Sequence, residues 1–222
     1  GDESDDPQPG FHHWESFKGQ GVYTGVTLNI NGEHTSYEDT VYTSDLLTEH
    51  AVEWMEQLES DQPFFVYLSH KAVHSEFKQA ARHAGMYAGV DYELPATYSQ
   101  TQDGSYKDLL WPEWVKEQRH SWHGVDYMYH GKGTVGDLVI DYCETLMGVD
   151  ESIGTVMAYL EARGIADETV VIYMGDNGFS WGEHGLIDKR HFYEESAKVP
   201  LLVRCPDPVS YTHLRAHETV ED

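Results

Sequence analysis

Two short runs of uncharged residues set the strongest limit on how this chain can fold: FFVYL at positions 64–68 and TVVIYM at 169–174. A strand with one wet face alternates apolar and polar side chains, but these runs offer apolar side chains to both faces. They therefore predict strands that are buried on both sides within a sheet. A third run, VPLLV at 199–203, predicts another strand of this kind.

An amphipathic helix pattern precedes each of the first two strands. The first pattern begins after Thr43 or Ser44, either of which can cap a helix, and continues to position 58. The second carries an apolar stripe over positions 138–160, and Gly164 follows as a C-cap. Helix, strand, loop, helix and strand in series predict an α/β fold with a largely parallel sheet flanked by helices.

Two further regions have distinct patterns. The alternating residues 22–28 and the turn signal at Asn31 and Gly32 predict short strands near the start of the chain. Residues 75–132 are rich in Tyr, His, Trp and Gly but only weakly periodic, which indicates a long excursion with one or two short helices. Long irregular segments of compact domains are usually functional.

The charge balance narrows the choice of partners. The chain has 39 acidic and 14 basic residues, a formal net charge of −25, so neither nucleic acid nor an anionic lipid surface is an expected partner. No run of about 18 apolar residues is present, so we predict no membrane-spanning helix. Cys143 and Cys205 are too few and too far apart for a zinc ribbon or a disulfide scaffold.

Polar residues follow the first two predicted strands directly, where open α/β sheets bind their ligands. The first cluster follows position 68 and the second follows position 174. The first contains Ser69, His70, Lys71 and His74, and the second contains Asp176, Asn177, Glu183, His184, Asp188, Lys189 and Arg190.

Each group has a functional and an ordinary interpretation. Asp176 and Asn177 offer the oxygen ligands that suit Ca²⁺ or Mg²⁺, but an Asp, Asn, Gly sequence also simply closes a strand with a turn. Lys189 can bind an oxyanion, although a lone Lys is ordinarily a solvated surface residue. His74 can donate a proton, or it can serve as a hydrogen-bonded structural group in a loop.

The segments FFVYLSHKAVHSEF and, about a hundred residues later, GDNGFSWGEHGLIDKRHFYEESAKVPLLVRCP resemble the type I sulfatases of the alkaline phosphatase superfamily. GFHHWESFKGQG and RHSWHGVDYMYHG resemble the subgroup of mucin-desulfating or N-acetylglucosamine-6-sulfatases. This resemblance, which runs from about position 10 to position 206, implies the fold of that superfamily. It also implies a sulfuric ester hydrolase acting on a sulfated saccharide, with glycan 6-O-sulfate as the expected substrate, in a secreted or periplasmic location.

Carried over residue by residue, the resemblance implies that Asp176 and Asn177 bind Ca²⁺, with Mg²⁺ as the other candidate. It implies Lys189 as the sulfate clamp, and His74 as a sulfate contact and proton donor to the departing sugar oxygen. Four more residues are expected to contact substrate: Lys71, His123, His184 and Arg190. Residues 75–132 are where we expect sugar contacts, with ordinary packing of the aromatic rings as the alternative.

The sequence departs from the family in one respect that bears on activity. The family's nucleophile is a formylglycine made from the Cys or Ser of a C/S-x-P-x-R motif, and these 222 residues contain no such motif. Cys205, Pro206 and Asp207 lack both the spacing and the Arg. The family's first two metal-binding Asp residues also precede the matching region. We therefore expect residues 1–208 to be a truncated catalytic domain, inactive by itself.

Two other functions are compatible with the same residues. The chain could come from a phosphoester or phosphonate hydrolase of the same superfamily. It could also be a non-catalytic fragment that binds a metal or a glycan.

The last residues have an unusual composition. VSYTHLRAHET at positions 209–219 is also the in-frame translation of a transposon-type sequencing adapter. We interpret 209–222 as an artefactual tail. It is expected to form neither strand nor helix, and its removal to change the free energy of unfolding by less than about 0.5 kcal/mol.

Overall fold

The computed structural model describes residues 4–98, 112–118, 120–122, 124–128, 133–205 and 212–215. The chain divides into two compact units. The first consists of residues 1–88 and 140–162, and the second of residues 89–139 and 163–222.

The first unit contains a three-stranded antiparallel sheet and two helical segments. Its strands are β1 (Glu15–Ser16), β2 (Thr27–Ile30) and β3 (Glu33–Ser36), in that order. Its helices are α1 (Thr43–Glu56) and residues 140–162 of a longer helix.

The predicted turn between β2 and β3 is present at Asn31 and Gly32. Their φ angles of 53° and 101° are positive, as a two-residue hairpin turn requires. Val26, Leu28, Leu46 and Leu47 form a buried cluster under this hairpin. The alternation of residues 22–28 is confirmed in part: Val26 and Leu28 are buried, but Val22 is 48% exposed and the strand begins only at Thr27.

Glu15 fastens the sheet of the first unit to α1. Its carboxylate oxygens lie 2.8 Å from His13 Nε2 and 2.7 Å from His50 Nδ1. Burial alone would raise the pKa of Glu15, but the hydrogen bonds from His50 and His13 outweigh it and lower this pKa. The same hydrogen bond to Glu15 raises the pKa of His50, so each group favours the charged form of the other.

The helix predicted at 138–160 is confirmed and extends further in both directions. A short helix, α2 (Glu113–Gln118), comes before it in the chain, and the predicted helix itself is α3 (Val135–Ala162). Gly164 follows α3 with a φ of 71°, which suits a C-cap glycine. The predicted capping of α1 is wrong. The N-cap is Tyr42, because the Thr43 hydroxyl donates to the Val22 carbonyl instead.

The second unit contains two small sheets. β4 (Val171–Met174), β7 (Pro200–Arg204) and β8 (Thr212–Arg215) form one sheet, in the order β4, β7, β8. β5 (Ser180–Trp181) and β6 (Ile187–Asp188) form the other, and the short helix α4 (Glu194–Ala197) precedes β7. The second unit has a buried hydrophobic cluster of Val125, Met128, Val135 and Ile187.

The strand predicted at 64–68 is not formed. Residues 62–70 belong to no helix, strand or turn in the described part of the chain. Phe65 is 73% exposed and Tyr67 is 77% exposed, so the run is not buried on both faces. A doubly apolar strand needs neighbours on both edges and cover on both faces, and the described residues do not supply them.

The predicted parallel pairing is also absent, because every strand pair within the described residues is antiparallel. A parallel connection needs a long crossover, usually a helix. The chain between β4 and β7 instead contains the β5–β6 hairpin and the four-residue helix α4. Two predicted strand bounds shift slightly, from 169–174 to Val171–Met174 and from 199–203 to Pro200–Arg204.

The expectation that the tail forms no strand is wrong. Thr212–Arg215 forms β8, which pairs with β7 from Pro200↔Arg215 to Val203↔Thr212. A strand at the edge of a sheet exposes a row of backbone donors and acceptors that any extended segment can pair with.

None of the helices in the described ranges combines the length and the apolarity needed to cross a bilayer.

Candidate active site

Lys71 and His74 lie together in a tight turn of the first unit. The His74 amide donates to the Lys71 carbonyl over 2.9 Å, and Lys71 Nζ lies 3.3 Å from His74 Nδ1. His74 Nδ1 is 2.6 Å from the Ser75 carbonyl, so this nitrogen carries a proton and the acid–base chemistry of the ring falls to Nε2. The Tyr23 hydroxyl donates to the His74 carbonyl over 2.5 Å and fixes the turn.

Lys71 is an unusually buried lysine, only 8% exposed. Its ammonium lies 5.3 Å from the centre of the Tyr23 ring and donates to the Ser75 carbonyl over 3.3 Å. Burial lowers the pKa of Lys71, because the charged form loses hydration. A cation held in this way is suited to binding an anion, although the same contacts also stabilise the turn.

His70 is a residue of the first cluster to which sequence reasoning gave no role. Its Nε2 lies 3.0 Å from Ser152 Oγ, which lies 2.6 Å from Thr48 Oγ1, and Thr48 donates to the Ser44 carbonyl over 2.6 Å. Burial lowers the pKa of His70 to about 4. Helical spacing cannot reveal such a contact, because position 152 lies 82 residues away.

Asp176 and Asn177 follow β4 as predicted. Asp176 is exposed and Asn177 is half-buried. Asn177 Nδ2 donates to the Gly178 carbonyl over 2.7 Å, which leaves the side-chain carbonyl oxygen as the atom available to a cation. Gly178 donates to the Ser196 carbonyl over 2.9 Å, so the loop after β4 is tied to α4.

Lys189 and Arg190 follow β6 in the same unit. Asp188 precedes them with a φ of 121° and is 3% exposed. Its carboxylate accepts from Arg190 over 2.8 Å, and the Arg190 side chain is 58% exposed. Lys189 is half-buried. A non-glycine residue with positive φ is strained, and such residues are concentrated at functional sites.

Of the other predicted substrate contacts, His184 is packed by its neighbours and His123 lies outside the described residues. The His184 ring stacks on Tyr193, with ring centres 4.1 Å apart, and its amide donates to Thr97 Oγ1 over 3.1 Å. The structure therefore gives His184 a packing role beside the segment that carries Lys189.

The donor types at the end of β4 fit a hard divalent cation. A carboxylate from Asp176 and an amide oxygen from Asn177 are the ligands that Ca²⁺ and Mg²⁺ prefer. Within the described ranges, no group of three or more His, Cys, Asp or Glu side chains could complete the shell. These two residues can therefore hold only part of a metal site.

These features define an α/β protein whose strand ends offer oxygen ligands for a hard cation and basic side chains for an oxyanion. The chain belongs to the sulfatase family, since the sequence model of that family, described as Sulfatase, matches residues 5–217. The match extends into the segment that we interpreted as a tail.

The chain is also similar to individual sulfatases of known name or structure. The N-acetylglucosamine-6-O-sulfatase of Bacteroides thetaiotaomicron is 28% identical over 255 residues, covering 92% of this chain and 45% of that protein. Human N-acetylglucosamine-6-sulfatase is 26% identical over 201 residues, covering 89% of this chain and 34% of that protein. A solved structure of a protein with its substrate, D-glucosamine-2-N,6-O-disulfate, is similar with a TM-score of 0.72 and 26% identity, covering 92% of this chain and 51% of that chain.

The predicted family and its fold are confirmed by these findings. The chain spans about half or less of the length of these relatives, at 45%, 34% and 51%. The predicted roles of individual side chains remain predictions.

Proposed function

We propose that this chain is part of the catalytic domain of a metal-dependent sulfuric ester hydrolase that acts on sulfated sugars, with 6-O-sulfated glucosamine as the favoured substrate. The observation that carries the proposal is the pair Asp176 and Asn177 at the end of β4, in the same unit as Lys189. The names of the matched relatives support the substrate class.

In this proposal, Asp176 and the carbonyl oxygen of Asn177 provide two ligands of a calcium ion. Calcium would neutralise charge on the sulfate oxygens and orient the ester. Lys189, with Lys71 and Arg190 as further cationic contacts, would bind the sulfate and stabilise the charge that grows in the transition state.

His74 would act as the general acid. The bond from its Nδ1 to the Ser75 carbonyl orients the ring, so that the protonated Nε2 can donate to the departing sugar oxygen. Such a transfer is typically worth about 10²–10⁴ in rate. Formylglycine supplies the nucleophile in this family, and the motif that would generate it does not occur in these 222 residues.

The first prediction is that the 222-residue chain releases no sulfate from 4-nitrophenyl sulfate above the rate in buffer. Its polar groups can bind and polarise an ester, but none is an activated nucleophile of the family's kind. Turnover by purified chain that survives gel filtration and scales with protein concentration would show that another nucleophile is present.

The second prediction concerns calcium. If the chain binds Ca²⁺ with a Kd of about 1 mM, 10 mM CaCl₂ should stabilise it by about 1.4 kcal/mol. Asp176→Asn should remove this effect, because it replaces a carboxylate ligand with a neutral amide. Thermal unfolding with and without CaCl₂ measures both.

Asp91→Asn is the matched control for the calcium experiment. Asp91 is an exposed aspartate of the same unit, away from β4 in sequence, and its variant should keep the full calcium response. Equal responses in the Asp176→Asn and Asp91→Asn variants would mean that calcium acts elsewhere, and the assignment of Asp176 would be wrong.

A further inference from the structure

Two aromatic side chains of the second unit, Trp122 and Tyr127, are exposed to solvent next to each other. They are 46% and 42% exposed. Their ring centres lie 6.5 Å apart, and the ring planes are tilted by 37°. We call these two side chains the aromatic pair. Two large rings exposed together form a contiguous surface, which is less common on a soluble protein than a single exposed ring.

The backbone that carries the aromatic pair is held in place by its own hydrogen bonds. The Gly124 amide donates to the Ser121 carbonyl over 3.0 Å, and the Tyr127 and Met128 amides both donate to the Gly124 carbonyl, over 3.1 and 2.9 Å. Val125 and Met128 are 7% and 6% exposed and belong to the buried cluster of the second unit. Because the turn is anchored in this way, a ligand that covers the rings loses little affinity to ordering them.

The same turn is joined to the segment that leads to Lys189. Gly124 forms an antiparallel bridge with Leu186, and the Val125 amide donates to the Gly185 carbonyl over 3.3 Å. Bridged residues lie about 5 Å apart at Cα, and three residues span at most about 11 Å, so the Cα atoms of Gly124 and Lys189 are within about 16 Å of each other. An oligosaccharide of a few rings can cover that distance.

The chemistry of the exposed rings favours a sugar as the ligand. One face of a pyranose ring consists of C–H bonds with a small positive charge, and the face of an aromatic ring is negative. Stacking of this kind needs no net charge, so the formal net charge of −25 does not oppose it. Nucleic acid bases also stack on aromatic rings, but the same net charge repels their phosphate backbone.

We propose that the aromatic pair is a second saccharide subsite, which binds an uncharged pyranose ring of a glycan whose sulfated sugar lies at Lys189. The inference rests on the proposed function and narrows its substrate from a sulfated sugar to a sulfated oligosaccharide. A sulfated monosaccharide would occupy the Lys189 site and leave the aromatic pair uncovered. Stacking would also give the substrate affinity that does not have to overcome the negative charge of the chain.

Isothermal titration calorimetry with chitotetraose, an uncharged oligomer of N-acetylglucosamine, tests the subsite without requiring turnover. Trp122→Ala should raise the Kd of the 222-residue chain for this oligosaccharide by about tenfold, because it removes one of the two stacking rings. Trp122→Phe keeps a flat ring and should raise the Kd by less than about threefold. Tyr127→Ala removes the other ring and should also weaken binding, so the test does not depend on one variant.

Trp114→Ala is the matched control. Trp114 lies on α2 in the same unit and is 48% exposed, close to the 46% of Trp122. Its removal should leave the Kd for chitotetraose unchanged. Equal losses in Trp114→Ala and Trp122→Ala would place binding elsewhere and overturn the proposal. So would a wild-type chain that gives no binding heat up to about 10 mM chitotetraose.

Glucosamine 6-sulfate separates this proposal from the proposed function. If the function is right, Lys189→Ala weakens binding of this sulfated monosaccharide, whereas Trp122→Ala leaves it unchanged. Loss of chitotetraose binding in Trp122→Ala, with no effect of Lys189→Ala on the sulfated sugar, would uphold the subsite and contradict the assignment of Lys189. An effect of Lys189→Ala on the sulfated sugar, with chitotetraose binding unchanged in Trp122→Ala, would uphold the function and reject the subsite.

Discussion

Gly178→Ala is expected to destabilise the chain by at least about 3 kcal/mol. A Cβ at this position would lie 2.0 Å from the Glu195 carbonyl oxygen and 2.6 Å from that of Lys198. Both obstacles are backbone atoms, which cannot swing aside as a flexible side chain can. The loop after β4 would have to move away from α4, and its hydrogen bond from Gly178 to the Ser196 carbonyl would break. Urea unfolding monitored by circular dichroism measures the loss.

Gly154→Ala is the control for this substitution. Gly154 lies inside α3, and a Cβ there would have no atom within 4 Å. Alanine in an open helical position is favoured over glycine by up to about 1 kcal/mol, so this variant should equal or exceed the wild type in stability. If Gly178→Ala stayed within about 1 kcal/mol of the wild type, the close approach of the loop and α4 would be wrong.

The second large effect is a loss of stability in mild acid caused by His70. Burial lowers the pKa of His70 from 6.5 to about 4 in the folded chain, a change only partly opposed by the negative charge of Asp45. Between these values the unfolded chain binds a proton that the folded chain does not, so stability falls as the pH drops from 6.5 toward 4. The full difference corresponds to about 3 kcal/mol and is absent above pH 6.5.

His70→Gln isolates the contribution of this histidine from that of the carboxylates. The side-chain amide of glutamine can still form a hydrogen bond with Ser152, but it does not titrate. The free energy of unfolding should therefore fall less steeply in the variant than in the wild type between pH 6.5 and 4. Parallel curves for the two proteins would mean that His70 is not buried as a neutral ring.

Local patterns in the sequence were sufficient for the elements whose partners are near in the chain. The hairpin at Asn31 and Gly32 was predictable because its turn needs residues that tolerate positive φ, and the flanking alternation sets its register. The helix Val135–Ala162 was predictable because an apolar stripe with helical spacing runs along it and Gly164 marks its C-terminal end. The positions of Asp176 and Asn177 after a strand followed from the apolar run before them.

Sequence patterns failed where the outcome depended on a distant partner. Residues 64–68 have the composition of a buried strand, but pairing requires neighbours that composition cannot specify. In the structure they form no strand, and Phe65 and Tyr67 are exposed. The strand Thr212–Arg215 was missed because a partner edge on β7, and not its own apolar pattern, makes it a strand.

The sequence by itself therefore determined the family, the α/β composition and the side chains available for binding a cation and an oxyanion. Only the tertiary structure decided that Lys71 is buried against Tyr23, that His70 is linked to Ser152, and that Gly178 meets the backbone of α4. The physical reason is the range of the interactions. Propensity, capping and turn geometry act over a few residues, whereas burial, desolvation and close backbone contact join positions far apart in the chain.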